Sequence, residues 1–483
     1  MQQPITYQSL MRLHLWQLQK RKSNWLLLIV FLLMGCFGLY QGYAVKQQQT
    51  NTITAFKHEK DSAFISIKKD FSADTSTING KAAFEAASNI MASNWDIDLP
   101  VYKYPISTAI FNIGQSDVFT YYYNFKVQSF IMQLFKQTEI SNPLRSLVGH
   151  FDVTFWVVYL LPLLALLLCF NTLSAETDSG NWKLVQSQGI NAKEWLAAKF
   201  LMVGIIIGIL LLFIGLSGCI INIACFKQSP NLRDFLFFLG AIIYICFWLS
   251  VLYFINAAGK DTGYNAMMSG LTWVCICLLL PTITSKIAEG LISVDNSVIS
   301  TYSRRPQDTR IDADPAFAAS LITTFAKQQP TYKLADTISK KPTFQTRVYN
   351  ALHSILHQQR WPLVTHYYEA IEQRQQVTNN TIFINPASSM DGLFASLAAN
   401  DAAANHHFIY QSLAFHQQMQ NAIYPVLFLD KKFTKNDYDK LPTFSCQPAA
   451  VPFGIAINYA LLLGLAVLIF IGSNKKLKRL GQA

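Results

Sequence analysis

Long apolar runs separated by polar segments dominate the 483-residue chain. Six runs contain no Asp, Glu, Lys or Arg, and each has close to the ~20 residues that a helix needs to cross the hydrocarbon core. They are residues 25–45, 153–173, 200–226, 235–256, 266–284 and 451–473. One charge at the centre of such a helix costs roughly 2.5–3.5 kcal/mol on insertion, so this pattern predicts six membrane-spanning helices. We expect the fifth to end near Pro281.

The first apolar run could be a secretory signal or a permanent anchor. It is too long for a usual signal core, follows a polar segment at 1–24, and lacks a small-residue cleavage site before the sequence QQQTNT. These features favour an uncleaved anchor.

Basic residues indicate the orientation of the spans. In a six-span arrangement the segments that carry them all fall on one side of the membrane. They are Lys20, Arg21 and Lys22, then Lys183, Lys193 and Lys199, then Lys260, and finally Lys475, Lys476, Lys478 and Arg479. By the positive-inside rule this side is cytoplasmic, which predicts that both termini, including the basic tail 474–483, lie inside.

Two long polar segments then fall on the opposite side and are predicted to form two external domains, 46–152 and 285–450. The first has a helical candidate at 80–93 followed by aromatic and β-branched residues, which indicates mixed α/β structure. The second shows helical periods at 315–327, at 346–375 with an interruption near Pro362, and at 390–422, the last with Ser388 or Ser389 as N-cap. The predicted fold is an α-helical polytopic membrane protein with external α/β to mainly helical domains.

Composition agrees with a membrane protein. Hydrophobic residues make up 51% of the chain and charged residues only 14%, well below the one-quarter or so that is typical of soluble domains. The net charge of +11 is partly explained by the basic cytoplasmic flanks, and no basic patch interleaved with aromatics favours nucleic acid. Of eight cysteines only Cys446 lies in an external segment, so neither external domain is predicted to hold an internal disulfide.

One polar segment interrupts the apolar chain between the second and third spans. Residues 174–189 read SAETDSGNWKLVQSQG and, within the larger segment 174–199, resemble a short amphipathic helix. Composition alone favours an interfacial loop anchored by Trp182 and Trp195 over a docking element for a cytoplasmic partner. Residues 1–24 likewise fit an interfacial helix that is attracted to anionic lipid.

The order of residues in this segment resembles that of the ABC-2 type exporter permeases. The residues that carry the likeness are Glu176, Gly180, Leu184 and Gln188, followed by Ala198 and Lys199 at the start of the third span. The stretches NIGQSDVFTYYYNFKVQ, NPASSMDGLFASLAAN and KNDYDKLPTF are similar to the branch of that family with large periplasmic insertions after the first and fifth spans. The likeness covers nearly the whole chain.

The resemblance implies a permease in a bacterial cytoplasmic membrane, paired with a second permease chain as a homodimer or with a paralogue. It also implies that a cytoplasmic helix over 176–188 seats in a separate ATP-binding subunit, which holds ATP and Mg. The ATPase-coupling residues are then Glu176, Gly180, Trp182, Lys183, Leu184, Gln188 and Lys199. The N-terminal helix would abut the same subunit. This chain has no Gly-x4-Gly-Lys-Ser/Thr, so it is not expected to be the ATPase, an enzyme or a cofactor carrier.

The sequence gives less support to a metal site, a hydrolytic site or a substrate path within the spans. His353 and His357 share a helix face and His366 follows, but without a HExxH motif they are better explained as helix-surface histidines than as metal ligands. No Gly-x-Ser-x-Gly motif suggests a hydrolase, and no substrate is indicated. Asn171, Asn222 and Asn256 fit interhelical hydrogen bonds better than a substrate path. The alternative function is a membrane-anchored scaffold that recruits periplasmic partners or transmits force, and a polytopic enzyme ranks third.

Overall fold

The computed structural model describes residues 7–88, 98–116, 119–136, 151–302, 314–330, 343–429 and 431–480. The first half of the chain contains α1 (Tyr7–Lys20), α2 (Lys22–Asp70), α3 (Ile78–Ser88), β1 (Asp98–Tyr102), a 3₁₀ turn (Ser107–Ile110), β2 (Tyr122–Lys126), α4 (Ile131–Lys136), α5 (Val153–Phe155, the π-helical turn Trp156–Leu160 and Leu161–Cys169), α6 (Ser174–Asp178) and α7 (Trp182–Ser187). Strands β1 and β2 pair antiparallel, with Asp98 opposite Lys126 and Tyr102 opposite Tyr122.

The regular secondary structure in the rest of the described chain is helical. It contains α8 (Ala192–Phe226), α9 (Leu232–Asn256), α10 (Thr262–Val274, the π-helical turn Cys275–Leu279 and Leu280–Leu291), α11 (Ser297–Tyr302), α12 (Pro315–Gln328), α13 (Thr343–Asn379), α14 (Pro386–Leu397), α15 (Ala402–Phe428), α16 (Lys435–Asp439) and α17 (Gly454–Leu480). Among the described residues, six helical stretches are long and apolar enough to cross a membrane: α2, α5 together with α6 (Val153–Asp178), α8, α9, α10 and α17. The protein is therefore a helical membrane protein.

Capping residues explain why two spans begin earlier than hydropathy predicts. Asn191 caps α8 by accepting from the backbone N–H of Glu194 at 2.9 Å, and Asn231 caps α9 in the same way with Asp234 as its capping-box partner. Capping satisfies the free backbone donors of the first turn, so each helix includes a charged turn before its apolar run.

Other helix boundaries differ from those predicted from the sequence. Helix α10 continues past Pro281 to Leu291, because this proline lies in the first turn after a π-helical turn, where its missing donor is tolerated. Helix α13 likewise continues through Pro362. The helix predicted at 390–422 is two helices, since Ala399 between α14 and α15 has φ 54°. The N-cap of α14 is Asn385 rather than Ser388 or Ser389.

Two further differences concern the first insertion, which is the segment between the bundle part of α2 and the start of α5. Helix α2 runs on to Asp70, far beyond the predicted end of the first span at residue 45. The helix predicted at 80–93 is α3, which ends at Ser88, and residues 89–93 lie outside the described part of the chain.

The six long helices form a bundle with two distinct ends. The terminal end carries α1, residues 174–191, the α9–α10 connection and the last turns of α17, whereas the insertion end carries the segments between α2 and α5 and between α10 and α17. Buried aromatics fill the bundle. The indole N–H of Trp156 donates to Phe31 O at 2.8 Å, and the Tyr244 hydroxyl donates to Val158 O at 3.0 Å, which joins α2, α5 and α9.

The two insertions share one apolar core, although the sequence predicted two separate domains. Phe125 and Phe130 from the first insertion pack in the same cluster as Phe325 and Phe408 from the second. Gln420 of α15 donates to the carbonyl oxygen of Val127 at 2.9 Å, across the two insertions. The short two-stranded sheet needs this partner, because an isolated hairpin buries too little apolar surface to be stable in water.

Two histidines of this shared core predict a pH dependence of stability. His416 is buried and hydrogen-bonds Lys126 O at 3.0 Å, and His357 stacks on Trp361. Burial lowers the pKa of each histidine from 6.5 to about 4, so the folded protein binds fewer protons than the unfolded chain between these pH values. Stability is therefore expected to fall as the pH drops from about 6.5 towards 4.

Thermal unfolding of the purified protein across that pH range checks the expectation. The variant His357→Phe keeps the ring stacking and removes one titrating group, so its Tm should depend less on pH than that of the wild type. His58→Phe, on the exposed face of α2, is the control and should leave the pH dependence unchanged. An identical pH dependence in all three proteins would show that His357 does not titrate on unfolding.

Candidate functional site

The polar segment between the second and third spans consists of two short helices, not the single helix predicted over 176–188. Helix α6 ends at Asp178, and Gly180 adopts φ 76° before α7 begins at Trp182. Glycine accepts this left-handed conformation without the steric penalty that a side chain brings. The segment is therefore a helix–turn–helix element with a bend at Gly180.

Three of the predicted coupling residues are exposed on α7 and its C-terminal turn. Lys183 and Gln188 are exposed, and Leu184 is 65% exposed. A single exposed leucine is common on protein surfaces, so Leu184 is notable for its place on a polar segment between two spans rather than for its exposure alone. We name Lys183, Leu184 and Gln188 the α7 face.

Trp182 has a different environment from the α7 face. It is half-buried, and its ring centroid lies 6.4 Å from that of Trp195 on α8. The Trp195 indole N–H in turn donates to Thr172 O at 3.1 Å. Trp182 therefore packs α7 against the bundle, and its ring does not project freely from the surface.

Glu176 and Lys199 lie in a cleft that is separate from the α7 face. The cleft has a volume of about 250 Å³ and is also lined by His14 and Arg21 of the N-terminal region. The buried His14 ring packs edge-on against Trp195 at 4.5 Å. Burial, with help from the positive charge of Lys199, lowers the pKa of His14 to about 4, so this imidazole is neutral at physiological pH.

His14 and Arg21 were not predicted from sequence to be structural partners of the polar segment, and Trp195 was predicted only as an interfacial anchor. The available signal was the amphipathic pattern of residues 7–20, which predicted an interfacial helix but not that α1 packs on α8. Burial of Leu10 and Leu18 on the same face as His14 shows that α1 belongs to the bundle core.

The polar segment is also tied to the connection between the fourth and fifth spans. Asp178 accepts a hydrogen bond from the backbone N–H of Thr262 at 3.1 Å, and the Thr262 hydroxyl bonds Ser174 Oγ at 3.0 Å. A displacement of α6 and α7 would therefore act on α5, α8 and α10 together.

A second polar cluster, at the insertion end, joins the bundle to the first insertion. Lys46 of α2 is 1% exposed and donates to Asn222 Oδ1 at 2.7 Å, Gln228 Oε1 at 2.6 Å and Ile106 O at 3.0 Å. All three ammonium protons thus have an acceptor. Lys46 ties the first span to the α8–α9 hairpin and to the segment before the 3₁₀ turn.

Asp234 completes this cluster from α9. Its carboxylate accepts from the hydroxyls of Ser107 and Thr108, both at 2.8 Å, and Asn231 Nδ2 donates to Ser107 Oγ at 2.9 Å. We name the cluster the polar latch: Lys46, Ser107, Thr108, Asn222, Gln228, Asn231 and Asp234.

Arg233, which precedes Asp234 of the polar latch, forms hydrogen bonds with the second insertion. Arg233 donates through Nη1 to Ser396 O and Leu397 O at 3.3 and 3.2 Å, and through Nη2 to Ala449 O. The hairpin between α8 and α9 therefore holds both insertions. No charge pattern in the short loop 227–233 indicated this role from sequence.

Close backbone packing accompanies the polar latch. A Cβ atom on Gly42 would overlap the carbonyl oxygen of Ile110, at the end of the 3₁₀ turn. Glycine is therefore required for this part of the first insertion to lie directly on α2.

The intramembrane amides make hydrogen bonds between chain segments. Asn222 Nδ2 donates to Ser107 O at 3.0 Å and Asn256 Nδ2 donates to Cys169 O at 3.1 Å.

The histidines considered as metal ligands are dispersed: His357 lies against the insertion core and His366 is exposed. In the described ranges, no group of three or more His, Cys, Asp or Glu residues could hold a metal ion.

Comparison with known proteins adds one match. Residues 303–447 match the family model described as Domain of unknown function (DUF3526). The matched range covers the major part of the second insertion, including α12 to α16. No curated protein and no solved structure matches the chain.

Proposed function

We propose that this protein is the transmembrane subunit of an ABC-type exporter in a bacterial cytoplasmic membrane, with both termini cytoplasmic. A separate ATP-binding subunit would dock on the α7 face, and a second permease chain would complete the pathway. The observation that carries the proposal is the exposed apolar Leu184 on a short helix inserted between the second and third spans. The sequence resemblance supplies the class of partner.

The coupling mechanism follows from how this segment is attached. Trp182 against Trp195 and Asp178 on Thr262 connect α6 and α7 to three spans. Spanning helices cannot unravel in lipid, because each unpaired backbone group there costs several kcal/mol. Movement of a docked subunit would therefore tilt the spans as rigid bodies.

Replacing Leu184 with aspartate tests the docking role. Leu184 is largely exposed, so the substitution should leave expression and Tm of the purified chain unchanged. An apolar anchor at the centre of a docking surface contributes about 2 kcal/mol or more, so association with the ATP-binding subunit should weaken by about thirtyfold or more. Co-purification from native membranes in mild detergent, with mass spectrometry of the bound proteins, measures the loss.

Lys183→Ala is the matched control, because it changes the neighbouring exposed residue and removes only a charge, which contributes less to such contacts. Trp182→Ala should also impair coupling, but by releasing α7 from Trp195. Retention of the ATP-binding subunit by Leu184→Asp, or absence of any nucleotide-binding protein from the wild-type preparation, would contradict the proposal.

Mechanical transmission without substrate transport is a second candidate function, favoured by the polar latch. Lys46, Asp234 and Arg233 connect α2 and the α8–α9 hairpin to both insertions, an arrangement suited to passing movement of the spans to an external domain. Reconstituted vesicles distinguish the two functions. ATP-dependent substrate flux supports export, whereas an ATP-driven change in an external complex without flux supports transmission.

A further inference from the structure

A cavity lies where the two insertions meet the insertion end of the bundle. Its volume is about 390 Å³, within the 300–1,000 Å³ that is common for small-molecule sites. Its walls come from the residues after β1, the turn between α14 and α15, and the extended chain before α17, with Gln228 at the side nearest the bundle.

Aromatic side chains form much of one wall. The Phe444 ring lies 6.3 Å from that of Tyr102 and 6.1 Å from that of Phe408, in each case edge to face. All three rings line the cavity. Such a wall suits an aromatic or aliphatic body, because the rings supply large apolar contact area.

Lys103 brings a positive charge to this apolar cavity. It is half-buried, and its Nζ donates to the carbonyl oxygen of Ala399 at 3.1 Å. Among the described residues, no carboxylate forms a salt bridge with it. Burial lowers the pKa of Lys103, although Cys446 and Asp401 oppose the effect.

Asp401, the carboxylate that acts electrostatically on Lys103, already accepts two other hydrogen bonds. Its Oδ1 accepts from the backbone N–H of Ala404 at 3.0 Å, and its Oδ2 accepts from Ser396 Oγ at 2.5 Å. Lys103 therefore has one neutral carbonyl acceptor and two further N–H donors. A charge in a partly desolvated position is stabilised by a counter-charge, and within the described part of the chain no carboxylate pairs directly with Lys103.

The polar groups that line the cavity indicate which charge would suit a ligand there. Gln228 Nε2 is bound to Pro105 O at 2.9 Å, and Asn400 Nδ2 to Asn112 O at 2.7 Å. Each amide thus gives one of its two N–H groups to the backbone, and Lys103 is the only lysine or arginine among the described residues that line the cavity. One ammonium matches a monoanionic carboxylate better than a phosphate, which presents more oxygen atoms and more charge.

We infer that this cavity binds small organic monoanions in which a carboxylate is joined to an aromatic or aliphatic body. Lys103 holds the carboxylate, and Tyr102, Phe408 and Phe444 contact the body. The inference is independent of the proposed ATP-binding partner.

The position of the site gives a bound anion a route to the spans. Gln228 in the cavity wall also accepts a hydrogen bond from Lys46 of the polar latch, and Ala449 in the wall accepts one from Arg233. A ligand in the cavity therefore lies against both attachments of the α8–α9 hairpin.

Calorimetric titration of the full-length protein in detergent tests the inference. The probes are phenylpropionate and hexanoate, each paired with its alcohol, phenylpropanol or hexanol. Both comparisons use the wild-type chain and do not depend on any variant. At least one acid is expected to bind saturably, and more tightly than its alcohol by about tenfold or more, as a charge-assisted hydrogen bond requires. Preference for phenylpropionate would indicate an aromatic ligand, and preference for hexanoate an aliphatic one.

Variants locate the site. Lys103→Met should lower the affinity for the acid by about tenfold or more, whereas Lys103→Arg should retain it, and Lys432→Met, at an exposed lysine of the second insertion, should have no effect. The inference is overturned if neither acid binds the wild type, if acids bind no better than their alcohols, or if a folded Lys103→Met protein binds the acids as the wild type does.

Discussion

Replacing Lys46 with methionine is expected to destabilise the protein by about 3 kcal/mol, because the change leaves the buried Asn222 Oδ1 and the half-buried Gln228 Oε1 without a donor. The carbonyl oxygen of Ile106 loses one of its two hydrogen bonds and keeps the one from the backbone N–H of Ala109. Asn222 Oδ1, Gln228 Oε1 and Ile106 O all accept from Lys46 Nζ. Methionine has nearly the same length but no hydrogen atoms to donate. The Tm of the purified protein in detergent measures the loss.

Lys57→Met is the matched control for this variant. Lys57 lies on the same helix, α2, but its side chain is exposed, so its substitution should change stability by no more than about 0.5 kcal/mol. Limited proteolysis adds a second measurement, since the first insertion of the Lys46→Met protein should be cleaved faster. Equal Tm values for the two variants would mean that the polar latch contributes nothing to the attachment of the insertion.

Gly42→Ala should separate the 3₁₀ turn Ser107–Ile110 from α2. The new Cβ overlaps the Ile110 carbonyl oxygen, which belongs to the backbone and cannot rotate away as a side chain would. Overpacking of this kind costs about 1–3 kcal/mol, which exceeds the ~1 kcal/mol that alanine gains over glycine in a helix. Thermal unfolding of the variant should show a lower Tm.

The same substitution at Gly464 on α17 is expected to have the opposite effect on stability. No atom outside its own helix backbone lies within 4 Å of the position where its Cβ would be, so only the gain in helix propensity remains. Its Tm should stay the same or rise. A Gly42→Ala protein as stable as Gly464→Ala would show that the insertion does not rest on α2 at this point.

The long helices were predictable because each depends on a local property. Uninterrupted apolar runs identify all six, and the differences arise at their ends. Asn191 and Asn231 extend two helices by capping, and Pro281 is accommodated by the π-helical turn before it. Hydropathy reports neither effect, because both are matters of backbone hydrogen bonding.

The candidate sites were less predictable because they depend on contacts between distant residues. Leu184 and Lys183 were named from sequence and are exposed, as docking residues must be. The division between the α7 face and the cleft of Glu176 and Lys199 arises from the bend at Gly180 and from the packing of α1. The polar latch joins residues 176 positions apart, as in the Lys46–Asn222 pair, and nothing in either segment alone indicates the other.

The shared core of the insertions imposes an order on biosynthesis. Phe125 and Phe130 leave the ribosome long before Phe408 and Phe428, the residues that complete their cluster. At translation rates of about 5–20 residues per second, the first insertion waits on the order of tens of seconds for its partner. During that time the nascent chain presents unprotected aromatic residues and an open strand edge, so chaperones and quality-control proteases have a defined interval in which to act on it.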